Sequence, residues 1–372
     1  MPVQTADILV IGAGMAGASA AAHLAASARV ILLEAEEQPG YHSTGRSAAL
    51  FSETYGPPAI NILTRAGRSF YENRAGGLAE HPILAPRGVL VFAMPGQEKL
   101  FDELRDDPAV QLLDAAAARA IVPVLRPETI AAAVYEPAAM DIDVHGLHQA
   151  YLHRLRHAGG RIVCGAPVAR LERSGGAWTA VTGAGAFSAP IVVNAAGAWA
   201  DTVAALAGLP PVGIVPKRRT ALIVAPPPGL AIDRWPLTID AAETGYFKPE
   251  AGKLLVSPAD ETPVAPSDVQ PEEIDVALAI ARLEERTTLR VARVERKWAG
   301  LRSFAADKVP VVGFDPLADG FFWLAGQGGY GIQAAEGLAR CASGLIAAGH
   351  LPEDLAAAGL DATALDPARF RG

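Results

Sequence analysis

Gly12, Gly14 and Gly17, with an acid at Glu34 twenty positions beyond Gly14, have the types and spacing to hold a dinucleotide. Gly12 permits a sharp turn, Gly14 lets backbone approach a pyrophosphate, and Gly17 lets a helix pack closely on the preceding strand. A helix N-terminus at that point offers unpaired N–H groups and a partial positive charge to the same pyrophosphate. The contacts on this reading come from Gly12, Ala13, Gly14, Met15, Ala16 and Gly17, with Ala35 beside Glu34. Glu34 would accept both hydroxyls of an adenosine ribose, and its charge would repel a 2′-phosphate.

The elements needed to position these residues are written around them. Ile8–Ile11 is an apolar run suited to a buried parallel strand. The alanine-rich segment from Met15 to Ser27 favours a helix, and Val30–Leu33 is a second strand ending at the acid. Next comes "GYHSTGRSAAL", Gly40 to Leu50, whose glycines, hydroxyls, histidine and arginine have no apolar period for a core. Such a stretch is expected to lie against something polar.

At 372 residues the chain is long enough for two domains, and 51% hydrophobic against 19% charged residues fits a compact globule. A formal charge of −8 argues against a nucleic-acid partner, whose phosphates require a basic face. Cys164 and Cys341 make no disulfide framework, which points to a reducing compartment. The start lacks the pattern of a signal peptide, and no uncharged apolar run reaches the roughly 18–20 residues of a membrane span. A cytoplasmic location is expected. His145, His148, His153 and His157 lie within thirteen residues, but no nearby acid completes a ligand set. They are expected on the solvated face of a helix starting near Asp143, and no metal is expected. Cys164 reads as a small buried hydrophobe.

An NAD dehydrogenase would continue into another βαβ unit. "HSTGRSA" instead resembles the loop that follows the second strand in the D-amino-acid oxidase superfamily of flavoproteins. That resemblance implies FAD, non-covalently bound, with Ser43, Thr44, Gly45 and Arg46 serving phosphate and ribityl oxygens, and Ser47, Ala48 and Ala49 near the isoalloxazine. It also implies adenine contacts from the backbone at Val168 and a second FAD motif at Ala196, Gly197 and Trp199. In "GQGGYGIQ", Gly326, Gly328, Gly329, Tyr330, Gly331 and Ile332 would meet the flat ring, and a helix from about Ile332 to Ala348 would aim its N-terminus there.

The similarity extends further. "YHSTGRSAA", "PKRRTALIVAPPPG", "YFKPEAGKLLVSPADETPV" and "WAGLRSFAADKVPVVG" together resemble the bacterial D-arginine dehydrogenase group of D-amino-acid dehydrogenases. This implies an α/β protein, α+β overall, of the glycine oxidase type. Its Rossmann-like FAD-binding domain would come from residues 1–80, 140–210 and 300–372. Its substrate domain would come from 81–139 and 211–299, with a mixed, largely antiparallel sheet. The implied reaction is oxidative deamination, with hydride leaving Cα for the flavin and the imino acid hydrolysing to a 2-oxo acid and ammonia.

By the same resemblance Arg302 binds the substrate carboxylate, which a planar guanidinium suits. Arg219 and Tyr246 assist it, Tyr55 closes over the substrate from a mobile loop, and Gly300 offers its carbonyl to the ammonium. Leu50, Val89, Gly329 and Tyr330 complete the pocket. The group's D-arginine enzymes carry a histidine in place of Leu50 and an acid in place of Val89. Both replacements are apolar here, which predicts a preference for neutral, apolar D-amino acids. Glycine, sarcosine, another secondary amine or a 2-hydroxy acid stay open as substrates, as does a non-catalytic flavin- or NAD-binding regulatory protein. The electron acceptor, O2 or a quinone, and the choice of monomer or homodimer are equally open.

Overall fold

The computed structural model describes residues 3–371. A six-stranded sheet runs in the order Arg161–Val163, Val30–Leu33, Ile8–Ile11, Ile191–Asn194, Phe321–Ala325, Val311–Phe314, and only the last strand is antiparallel to its neighbour. Alternation along the central strand explains why it is apolar throughout. Ile8 and Val10 face a helical layer, whereas Leu9 and Ile11 face a second apolar layer with Trp178, Phe187 and Trp323. Helices Met15–Leu24, Pro58–Glu72, Val144–His157 and Ala335–Ala348 form the first layer. The second is closed by a four-stranded sheet containing Val168–Ser174, Ala177–Thr182 and Gly185–Ala189. A strand buried on both faces needs such a continuous apolar run.

The other large sheet has ten strands and is mixed, with one parallel pair, Leu237–Asp240 beside Val89–Ala93. Its backbone is a long antiparallel pair, Val215–Val224 with Val294–Phe304. Along the first of these, Pro216, Arg218, Thr220 and Leu222 are buried. Arg218 meets Asp275 on the helix Glu273–Arg286 at 2.9 Å. Lys217, Arg219 and Ala221 point to the opposite face by the two-residue period of a strand. The stretches "TALIVAP", "GYFKPE" and "KLLVSPA" fall in the strands Val215–Val224, Tyr246–Glu250 and Lys253–Ser257.

Two helices differ from expectation at their starts or ends. The first stops at Leu24 rather than Ser27. The one expected from Ile332 begins at Ala335, after a turn in which the Tyr330 and Ala334 amides donate to the Gln327 and Tyr330 carbonyls. The helix expected near Asp143 does begin there, capped by an Asp143 carboxylate that accepts from the Gly146 amide at 2.9 Å. No helix among the described residues is long and apolar enough to cross a membrane.

Candidate active site

A single cavity of about 900 Å3 runs between the two sheets, from Glu34 to Arg302. At the Glu34 end, Gly12 has φ +101 and Gly17 lies directly on the Gly12 carbonyl, so neither tolerates a side chain. Gly14 is the residue before the first helix, and that ten-residue helix has no capping side chain of its own and no acid in its first turn. Thr44 Oγ1 accepts from the Met15 amide at 2.9 Å, which leaves its hydroxyl proton to point elsewhere. Glu34 is buried, and its two oxygens accept from the Ala13 and Glu36 amides at 2.7 and 3.0 Å. The carboxylate is thereby fixed with lone pairs to spare. A pyrophosphate and an adenosine ribose fit this arrangement of bare backbone, helix end and oriented acid.

Of the residues expected to contact the cofactor, Gly12, Gly14, Met15, Ala16, Glu34, Ala35, Ser43, Thr44, Arg46, Ser47, Ala48, Ala49, Val168, Ala196, Gly197, Trp199, Gly328, Gly329, Gly331 and Ile332 line the cavity. Ala13, Gly17, Gly45, Gly326 and Tyr330 stand behind that wall. Ala13 links Glu34 to His148, and the Gly45 amide donates to the Gly40 carbonyl. Gly326 is buried near Ile214 and Ala305, and Tyr330 packs against Tyr55 and Phe304.

The side chains of two residues are placed otherwise than expected. The Arg46 guanidinium turns to the Val269 and Ala299 carbonyls and the Asp268 carboxylate, away from a phosphate role. The Ser43 hydroxyl donates to the Leu301 carbonyl at 2.7 Å. Both side chains tie the polar loop to the ten-stranded sheet and its neighbouring segment. His148 is a further correction. It is 3% exposed rather than solvated, and its Nε2 lies 2.9 Å from the Ala13 carbonyl oxygen. Cys164, expected to be buried, is half-buried, whereas Cys341 is fully buried and its thiol is pushed up to about 12 by desolvation.

At the far end, Arg302 projects from the strand Val294–Phe304 into the cavity with its side chain 14% exposed. Its Nη2 donates to the Tyr55 hydroxyl at 2.7 Å. Burial disfavours its charge, but the oxygens of Tyr55, Tyr246 and Tyr330 outweigh that, and its pKa is raised above the ordinary arginine value. The Tyr330 phenol is itself raised by burial and by Tyr55, so it stays protonated. Gly329 has a specific reason to be glycine, since a Cβ there would fall within the Arg302 guanidinium. Arg219 and Gly300 are opposite each other on the paired strands, and both line the cavity with Tyr246 and Tyr55. Leu50 and Val89 also line it, joined by Val91, Leu237 and Ile239.

Sequence reasoning missed three polar residues at this end. Gln333 Nε2 donates to the Tyr55 carbonyl at 3.0 Å and to Thr64 Oγ1 at 3.2 Å, holding the tyrosine in place. Glu261 and Lys217 flank the two arginines. All three lie in or beside quoted motifs, but nothing in their local spacing distinguishes them from solvated charge.

The sequence model of the FAD dependent oxidoreductase family matches residues 7–345. The bifunctional protein MnmC of tRNA 5-methylaminomethyl-2-thiouridine biosynthesis from Burkholderia vietnamiensis is 32% identical over 351 residues, covering 86% of this chain and 50% of that protein. Mitochondrial dimethylglycine dehydrogenase from Homo sapiens is 26% identical over 403 residues, covering 98% of this chain and 44% of that protein. The chain thus spans about half the length of the curated relatives it matches. Among solved structures, L-proline dehydrogenase from P. horikoshii superposes with a TM-score of 0.83 at 20% identity, over 100% of this chain and 99% of that one. Glycine oxidase from Geobacillus kaustophilus gives 0.80 at 21% identity, over 92% and 95%. The continuous cavity, the glycine cradle and the whole-chain match agree: the chain belongs to the FAD dependent oxidoreductase (DAO) family, with FAD as its cofactor.

Proposed function

We propose that the chain oxidises small α-amino acids of D configuration, preferring neutral, apolar side chains to D-arginine, and releases an imino acid that hydrolyses to a 2-oxo acid and ammonia. The carrying observation is Arg302, a largely buried cation facing the same cavity as the dinucleotide turn. Bound FAD supplies the two-electron acceptor for the hydride that leaves Cα. The chain's own residues bind and orient. Arg302 receives the carboxylate as a fork, Arg219 and Tyr246 close on it, and Tyr55 stands above the guanidinium. The Gly300 carbonyl is the acceptor for the amino group. We read residues 1–80, 140–210 and 300–372 as the part serving the cofactor, and 81–139 with 211–299 as the part serving the substrate.

Side-chain preference follows from the walls. Leu50, Val89, Val91, Leu237 and Ile239 are apolar and would desolvate a guanidinium without pairing it, which costs several kcal/mol. Three acids line this end: Asp240 is buried and already paired with Arg286 at 2.8 Å, so a cationic side chain would have to extend to Asp107 or to solvent-exposed Glu243. A second reading, oxidation of an N-methylated glycine, is supported by the likeness to dimethylglycine dehydrogenase along almost the whole chain.

Anaerobic mixing of the yellow holoenzyme separates these readings by the rate at which its flavin absorbance bleaches. The panel contains D-Leu, D-Met, D-Phe and D-Arg, the L-enantiomers, glycine, N-methylglycine and a D-2-hydroxy acid. D-Leu, D-Met and D-Phe are expected to lead D-Arg by about tenfold or more. A D-Arg lead overturns the side-chain preference, an L-enantiomer lead overturns the configuration, and bleaching by N-methylglycine alone selects the second reading.

A further inference from the structure

We infer that Glu261 is a positioning residue for the carboxylate anchor: it acts as the shared counter-ion that fixes Arg219 and Arg302 in their binding orientation. This rests on the reading of those two arginines as the substrate's carboxylate site.

The paired strands create an electrostatic problem that the turn bearing Glu261 solves. In register, Lys217 is directly opposite Arg302, and Arg219 is opposite Gly300. Three cations therefore share one face of two neighbouring strands, and directly opposed like charges are destabilising. Glu261 enters from the other side of Val215–Val224, next to the Thr262–Pro263 strand that pairs with its opposite edge. Its Oε2 accepts from Lys217 Nζ at 2.9 Å, and its Oε1 accepts from Arg219 Nη2 at 3.1 Å. That same Oε1 lies 3.6 Å from Arg302 Nη1. One carboxylate touches all three cations. Its pKa lies below the usual carboxylate value: desolvation raises it, but the Lys217 hydrogen bond and the charges of Arg219, Lys217 and Arg302 more than offset that.

The approach of Glu261 is itself enforced. Asp260, its neighbour, accepts from the Thr220 amide at 2.6 Å and the Thr220 hydroxyl at 3.0 Å. The Asp260 carbonyl accepts from Arg219 Nε at 2.9 Å. Ser257 Oγ donates to the Thr220 carbonyl at 2.6 Å and accepts from the Ala259 amide at 3.1 Å. Ala259 adopts φ +53, a left-handed conformation that an alanine takes only when its surroundings impose it. The turn is stitched to the strand on both sides of Glu261. Arg219 is consequently gripped along its Nε and Nη2 edge, which leaves Nη1 as its free donor group. Arg302 is gripped from one side by Tyr55 and from the other by Glu261. A substrate carboxylate then meets two guanidiniums whose rotamers are already set, so little ordering remains to be done on binding.

The test uses holoenzyme variants E261A and E261Q beside R302A, with benzoate as a redox-inert carboxylate titrated by its perturbation of the flavin spectrum. For E261A the benzoate Kd and the substrate KM are expected to rise by about tenfold, with kcat at saturation far less affected, because a charge-assisted contact to a part-exposed group is lost. E261Q keeps an oxygen acceptor without the charge and should give an intermediate rise, which also carries the test if E261A fails to fold. Wild-type affinity in both variants overturns the inference. Tighter benzoate binding overturns it too, by making Glu261 a competitor of the substrate. If R302A binds benzoate like the wild type, the anchor reading fails and the inference falls with it. If R302A weakens binding and the Glu261 variants do not, only the inference falls.

Discussion

At the Glu34 end of the cavity the contacts come from backbone, and side chains are kept small so that backbone can approach. Gly12, Gly14 and Gly17 set the shape, and the acid serves to hold two amides of its own chain. At the Arg302 end the lining comes from long charged and aromatic side chains, and backbone only carries them: Arg302, Arg219, Tyr246 and Tyr55 converge from three strands and a loop. The two ends should therefore fail in opposite ways. Adding atoms harms the first, whereas removing atoms harms the second. On the proposed reading, the first end holds the cofactor by its pyrophosphate, and the second can change substrate preference by exchanging wall residues without disturbing the first.

The largest expected effect comes from adding atoms at the cofactor end. In Gly17→Val the new Cβ would fall on the Gly12 carbonyl, inside contact distance of backbone that cannot yield cheaply. The cost should reach or pass the top of the roughly 1–3 kcal/mol range for overpacking. The variant should purify with little flavin and melt well below the wild type, as read by absorbance and thermal denaturation. Normal flavin content would break the comparison.

Next in size is the removal of atoms at the substrate end. Arg302→Ala should keep its flavin yet raise KM for amino acids about 10- to 100-fold, since a charge-assisted hydrogen bond contributes about 1.5–3 kcal/mol. Gly329→Ala sharpens the point because it crosses the two rules: a glycine at the substrate end whose added methyl would displace the arginine. It should resemble a milder Arg302→Ala, with KM raised about 5- to 20-fold from the misplaced guanidinium and flavin retained. Loss of flavin with an unchanged KM would assign Gly329 to the cofactor end instead.

The same asymmetry explains what could be read from the chain alone. Backbone sites are spelled locally, as glycines at fixed offsets between an apolar strand and a helix, so the turn, its acid and the strands Ile8–Ile11 and Val30–Leu33 were legible. The substrate end is assembled by strand register. That Lys217 is opposite Arg302, or that a turn ending at Glu261 returns to Arg219, follows from pairing between residues tens of positions apart. Arg46 and Ser43 show the limit from the other side. Their types suit a phosphate, but the ten-stranded sheet presents carbonyls at Ala299 and Leu301 that claim them first. His148 misled for a related reason, because four histidines on one helix look solvated until the helix is seen to press one face against the glycine turn.

That histidine gives the smallest effect and a test of how the cofactor end is supported from behind. His148 is buried between the Ala13 carbonyl and Gly40, so it touches both stretches of chain that shape the phosphate region. Desolvation is the chief cause of its lowered pKa; the Ala13 carbonyl opposes the shift, and nearby His145 adds to it. The folded state therefore holds the neutral ring, while the unfolded chain takes up a proton near the ordinary histidine value of about 6.5. The sign follows from linkage: above that pH neither state is charged and His148 costs nothing. As pH falls below it, the unfolded state binds more protons and stability declines until the folded ring itself protonates. Melting temperature and flavin retention should both fall between about pH 6.5 and 5 in the wild type. His148→Gln keeps a donor for the Ala13 carbonyl without titrating, so its decline over the same range should be shallower. Identical slopes for the two proteins would move the acid sensitivity to other groups and leave His148 a packing residue.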